Sequence, residues 1–84
     1  MAATTVATVT KSWTQVSSNS CLLQAKNAST QYHICVQPTA PSADSDNFVV
    51  IDLIDSVVLD FATPVYARLP PTSHIENAKV VVIA

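Results

Sequence analysis

The residues able to do chemistry are few, and their spacing limits what each can do. His33 and Cys35 stand two apart in Gln31-Tyr32-His33-Ile34-Cys35-Val36, so on an extended strand they project from one face with Cα atoms about 6–7 Å apart. A thiol beside an imidazole begins a nucleophilic pair, but catalysis also needs a group to orient the base and donors for the oxyanion. Neither is evident in the sequence, and ordinary packing is the expected role of both. His74-Ile75-Glu76 follows Pro70-Pro71, which places it on a connection, where a solvated histidine is expected. Asp44-Ser45-Asp46-Asn47 spaces oxygen ligands like the opening of a calcium loop, without the sixth-position Gly and distal bidentate Glu such a loop requires. Asx turns are the expected structure there. Asp52, Asp55 and Asp60 crowd three carboxylates into nine residues, but the apolar runs beside them offer no cleft for an acid–base pair, and strand ends and turns account for them. No enzyme activity, cofactor or metal is expected.

The two cysteines, Cys21 and Cys35, are too few for a disulfide framework and lack metal-ligand spacing. A hairpin through Leu22–Lys26 and Gln31–Val36 that turns at Asn27-Ala28-Ser29 sets Cys21 opposite Cys35, within disulfide reach. A two-residue loop shifts the register and separates them. Buried free thiols are the expected state. Asn27-Ala28-Ser29 also matches a glycosylation sequon, read here as a turn. Trp13, among Ser12, Thr14 and Gln15, could form a sugar platform, although anchoring a core or a subunit contact is the commoner use of such a residue. Arg68, the only arginine, is flanked by Ala67 and Leu69 and is expected in a buried or interfacial ion pair with a carboxylate such as Asp60.

The elements that must position these residues are strands. Of the 84 residues, 26 are Val, Ile or Thr, the side chains that suit a pleated surface. Hydrophobic residues make up 49% and charged ones 12%, with a net charge of −2, so the chain folds around a core in one small domain. Gly is absent, which removes every glycine-dependent phosphate loop and dinucleotide fingerprint. Four scattered basic residues leave no nucleic-acid footprint. No apolar run is long enough for a membrane span, and the opening residues lack the regions of a signal peptide; a soluble protein made in a cytoplasm is expected.

Residues 1–10 are small and β-branched and read as an extended N-terminal arm or an edge strand. The single sandwich domain is expected to occupy 11–84. Within it, strands are predicted over 11–16, 21–26, 31–37, 48–51, 56–59, 64–69 and 78–84, interrupted by one long Pro-containing loop over 38–47. The runs at 48–51 and 56–59 read as strands buried on both faces, or as a helical turn around Leu53 to Val57. Six to eight short strands with regular turns describe a small antiparallel β-sandwich or barrel, jelly-roll or immunoglobulin-like. Val80-Val81-Val82-Ile83 is apolar on both faces and must be central or covered by another subunit. Oligomerisation would also supplement the small core, with Val6, Val9, Trp13, Val80, Val81, Val82 and Ile83 as candidate contacts.

Ser12-Trp13-Thr14-Gln15-Val16-Ser17, the Thr39-Ala40-Pro41-Ser42-Ala43-Asp44 loop, Val65-Tyr66-Ala67-Arg68 and the closing Ala78-Lys79-Val80-Val81-Val82 resemble small β-sandwich virion proteins of tailed bacteriophages. In that family Gly usually occupies turns where this chain has Ser18-Asn19 and Asp46-Asn47, residues that tolerate left-handed conformations. The resemblance implies a virion protein, made in the host cytoplasm, that decorates or cements the capsid or serves as a base for head fibres. It further implies a homotrimer whose partner is the major capsid protein or another virion protein. A carbohydrate- or receptor-binding module of a phage tail or fibre is the alternative.

Overall fold

A computed structural model describes residues 3–26, 31–52, 57–60 and 62–84. Eight strands follow in chain order: β1 (Thr4–Thr10), β2 (Thr14–Ser17), β3 (Cys21–Ala25), β4 (Gln31–Val36), β5 (Val49–Asp52), β6 (Val57–Leu59), β7 (Val65–Arg68) and β8 (Asn77–Ile83). They form two four-stranded antiparallel sheets, ordered β1-β8-β3-β6 and β2-β7-β4-β5. In each sheet the outer pairs join strands equidistant from the chain's middle, β1 with β8, β3 with β6, β2 with β7 and β4 with β5. That is one long hairpin wound around a sandwich, the topology of a jelly roll. The all-β sandwich expected from the sequence is the fold observed.

Period-two alternation builds the core. Val9, Cys21, Leu23, Ala78, Val80 and Val82 face inward from the first sheet; Tyr32, Ile34, Val65 and Ala67 face them from the second, with Leu69 just beyond β7. The sandwich is 16 Å across its thinnest dimension, consistent with two sheets about 10 Å apart. No described residue has a positive φ, so the described turns of this glycine-free chain are made in right-handed or extended conformations. Asn19, Asp46 and Asn47, which could have taken left-handed turns in place of Gly, do not. Pro70-Pro71-Thr72-Ser73 instead closes with Ser73 N–H donating to the Pro70 carbonyl at 2.9 Å, and proline's fixed φ suits the second position of such a turn.

Several expectations are corrected. Of the two readings of segment 1–10, the described residues take the edge strand and not the arm outside an 11–84 domain: Thr4–Thr10 pairs with Asn77–Ile83 along its whole length at the edge of the first sheet, because its alternating Ala7 and Val9 complete the core. The hairpin proposed to join Cys21 to Cys35 does not form. β3 pairs with β6 and β8, whereas β4 pairs with β5 and β7 in the other sheet, so the two buried free thiols belong to different sheets. β5 and β6 are edge strands, leaving Val49, Val50 and Val58 exposed, not strands buried on both faces. The Asn27-Ala28-Ser29 turn, Asp55, and all but Val57 of the suggested 53–57 helical turn lie outside the described residues.

Leu23 is wholly buried and Val58 is 70% exposed on the paired strand. Leu23→Ala should cost about 3 kcal/mol in chemical denaturation through the cavity it opens, whereas Val58→Ala should stay within about 0.5 kcal/mol.

Candidate functional site

β8 lies between β1 and β3, so the candidate contact residues on these strands divide by parity. Val9, Val80 and Val82 point into the core, which corrects their assignment to a partner surface. Val6, Val81 and Ile83 turn outward, with Val6 directly opposite Val81. Leu22, opposite both Ile83 and Val58, carries the apolar surface across to the far edge. Leu22 and Val58 were not singled out from the sequence; the alternation of Leu22 between the inward Cys21 and Leu23 was the available signal. Val6, Val58 and Ile83 are 51%, 70% and 38% exposed, while Leu22 and Val81 are half-buried. Thr4, Thr8, Gln24 and Lys79 share this outer face, and the Lys79 ammonium donates to Thr8 Oγ1. Among the described residues the first sheet thus presents one apolar stripe, with Lys79 and, opposite it, Lys26 at one end and Asp60 at the other.

The outer face of the second sheet is covered over Tyr66 and Arg68 instead, while Val50 on the edge strand stays exposed. β4 and β5 are neighbours, yet their connection over 37–48 runs back across β7 and β2, and Arg68 holds it there. The guanidinium donates from Nη1 to the Ala43 carbonyl (2.7 Å), from Nη2 to the Ser45 carbonyl (3.4 Å) and from Nε to His33 Nδ1 (3.1 Å). Its Cζ lies 4.5 Å from the Trp13 ring centroid and 5.3 Å from that of Phe48, and the His33 imidazole stacks on Phe48 at 3.9 Å. Trp13 Nε1 donates to the Ser42 carbonyl at 3.2 Å. Arg68 is only 4% exposed. Its charge is met by carbonyl dipoles and ring faces, not by the expected pairing with Asp60, which instead accepts from Ser20 Oγ at 2.7 Å.

This clamp also disposes of the groups with chemical potential. His33 Nδ1 accepts from Arg68, so the imidazole is held neutral; burial first, and then the neighbouring guanidinium, lower its pKa from 6.5. The Cys35 thiol donates to Gln37 Oε1 at 3.3 Å, and burial raises its pKa. Burial likewise raises that of Cys21, opposed by its hydrogen bond with Ser17. Both thiols are therefore poor nucleophiles at neutral pH. His74 is exposed, and Glu76 accepts from Lys11 at 3.4 Å. Asp44 accepts from Ser42 Oγ within its own loop. Among the described residues no group of three or more His, Cys, Asp or Glu is arranged to hold a metal. An apolar cleft of about 350 Å³ opens between Phe48, Val49 and Leu59 above Ile34, Cys35 and Val36.

Comparison with known protein families, curated proteins and solved structures finds no match.

Lysine keeps the charge at position 68 but not the planar fork. Arg68→Lys should leave the sheets folded yet release the 37–48 connection, seen as a red shift in Trp13 emission and faster proteolysis between residues 38 and 47, at a cost of about 1–3 kcal/mol. Acid should act through the same contact. Above pH 6.5 His33 is neutral in the folded and unfolded chain and its contribution is complete; as pH falls through 6.5 the unfolded chain binds the proton first, and folded stability declines until the lower folded pKa is passed. A denaturation series from pH 8 to 5 should show that decline, and His33→Asn, which retains an acceptor without titrating, should flatten it.

Proposed function

We propose that the protein is a structural component of a tailed-bacteriophage virion, decorating or cementing the capsid through protein–protein contacts without chemistry. The observation that carries this reading is the outer face of the first sheet. Val6, Leu22, Val58, Val81 and Ile83 form an apolar surface across four strands, of the kind that marks an interaction site when rimmed by polar groups. The sequence resemblance supports the same reading. So does the topology, since jelly rolls recur among viral capsid and lectin domains, although a shared fold carries no function by itself. The partner is the major capsid protein or another virion protein, and the chain works as a homo-oligomer made in the host cytoplasm and resident in the virion.

Its mechanism is burial of apolar area between neighbouring subunits, about 25 cal/mol for each Å² removed from water. Such attachment depends little on ionic strength, because few charges border the surface and screening acts on charges. The carbohydrate-binding alternative gains no support from Trp13, whose indole N–H is taken by Ser42 and whose ring covers Arg68.

Cosedimentation with capsids of its own phage should therefore be unchanged between low and physiological salt and should be lost in Val58→Lys, which places a charge on the exposed stripe. Release of wild-type protein by that salt step, or undiminished attachment of the variant, would overturn the assignment.

A further inference from the structure

The two sheets have four edges, and three carry a device that discourages pairing with another chain. β2 has a bulge between Gln15 and Ser17, β5 carries the charged Asp52, and β6 is followed directly by Asp60. β1 has none of these. It runs seven residues, Thr-Thr-Val-Ala-Thr-Val-Thr, without charge or proline, and pairs with β8 in unbroken register.

The direction of its free main-chain groups follows from that register. Ala3 and Ala84 exchange both hydrogen bonds, 2.7 and 3.1 Å. In an antiparallel ladder bonded and non-bonded pairs alternate, so Thr5, Ala7 and Val9 bond to β8, while the N–H and C=O groups of Thr4, Val6 and Thr8 point away from it. The Thr10 carbonyl, of the same parity, confirms the direction by accepting from Leu69 N–H at 2.8 Å. Thr4, Val6 and Thr8 are all exposed.

We infer that β1 is a homotypic pairing edge, occupied by β1 of a second copy of this chain in antiparallel register about a two-fold axis at Val6. Val6 then faces Val6 of the second copy, and Thr4 faces its Thr8. Each facing pair exchanges both main-chain bonds, about six in all, and every outward group from Thr4 to Thr8 is used without disturbing the Thr10–Leu69 bond. The alternating pair between them sets Thr5 against Ala7 of the second copy, two small residues that meet without crowding. Lys79, beside Thr8, lies at opposite ends of the contact in the two copies, so like charges do not meet. The result is an eight-stranded sheet in which Val6, Val81 and Ile83 of both copies join into one apolar stripe. This contact concerns self-association alone and stands whether or not the larger assembly is a virion.

A single edge strand buries little area, at the low end of interface sizes below about 1,200 Å², so the dimer should dissociate on dilution. Sedimentation of the wild-type protein over a concentration series is expected to show that reversible dimer. Amide exchange under dimeric conditions should protect Thr4 and Thr8 as well as Thr5, Ala7 and Val9. Val6→Pro removes an outward N–H that β8 does not use, and proline is tolerated on an edge strand in that setting. The variant should keep its circular dichroism and the protection of Thr5, Ala7 and Val9 while becoming monomeric and losing protection at Thr4 and Thr8. Val58→Lys, at the opposite edge of the sheet, should remain dimeric while losing capsid attachment, which separates this contact from the capsid surface. A wild-type protein monomeric at every concentration, or any oligomer in which Thr4 and Thr8 exchange freely, would overturn the inference. If Val6→Pro unfolds, Val6→Lys, which sets two ammonium groups together at the axis, serves in its place; retention of the dimer at low salt would then count against the pairing.

Discussion

The first sheet depends on β8. This strand supplies both neighbours of the sheet's interior, β1 on one side through seven pairs and β3 on the other through four. Its even-numbered valines, Val80 and Val82, are wholly or almost wholly buried. Because the chain is wound as a hairpin around the sandwich, β8 finds its place only after strands far away in sequence have found theirs. Such non-local pairing makes loop closure a cost to be met before the packing that offsets it. A β8 that failed to insert would leave β1 without a partner and the core open along one side.

The second sheet solves a different problem. Its outer face carries Arg68, a charged group that a strand interior would ordinarily reject, and the connection between β4 and β5 folds back to surround it. The backbone carbonyls of Ala43 and Ser45 meet the guanidinium from above, His33 from within the sheet, and Trp13 and Phe48 from the sides. Each group depends on the others. The aromatic rings exclude water, which strengthens the charge–carbonyl bonds, and those bonds hold the connection that brings Phe48 into place. One sheet is thereby covered by its own chain around Arg68, while the other has no such cover among the described residues.

That asymmetry bears on function. A domain this small cannot cover all its apolar surface; among the described residues Val6, Val58 and Ile83 are left exposed on the first sheet, and Val49 and Val50 on the edge strand β5 of the second. The residues with chemical potential lie elsewhere: His33 within the Arg68 clamp, Cys35 beside Gln37, Cys21 in the core. The accessible surface offers hydrophobic contact and unpaired main chain, both suited to assembly.

The class of fold and most of the strand positions are legible in the amino-acid order alone. Those properties reside in short-range signals: alternation in Gln31–Val36, prolines that stop a ladder, and β-branched residues throughout. The same order also determined that Val80 to Ile83 needed cover, since an apolar run on both faces of a strand cannot be left in water. What it could not carry was which strands meet. Cys21 and Cys35 are plausible neighbours in a local hairpin, yet belong to separate sheets because the chain crosses the sandwich between β3 and β4. Arg68 reads as an ion-pair residue until the 37–48 connection delivers carbonyls and rings to it. The division of the candidate contacts into inward Val9, Val80 and Val82 and outward Val6, Val81 and Ile83 needed the register of β8, because a one-residue shift exchanges the two sets. Alternation along a strand is written locally, but which face becomes the inside is settled only when a second sheet packs against it.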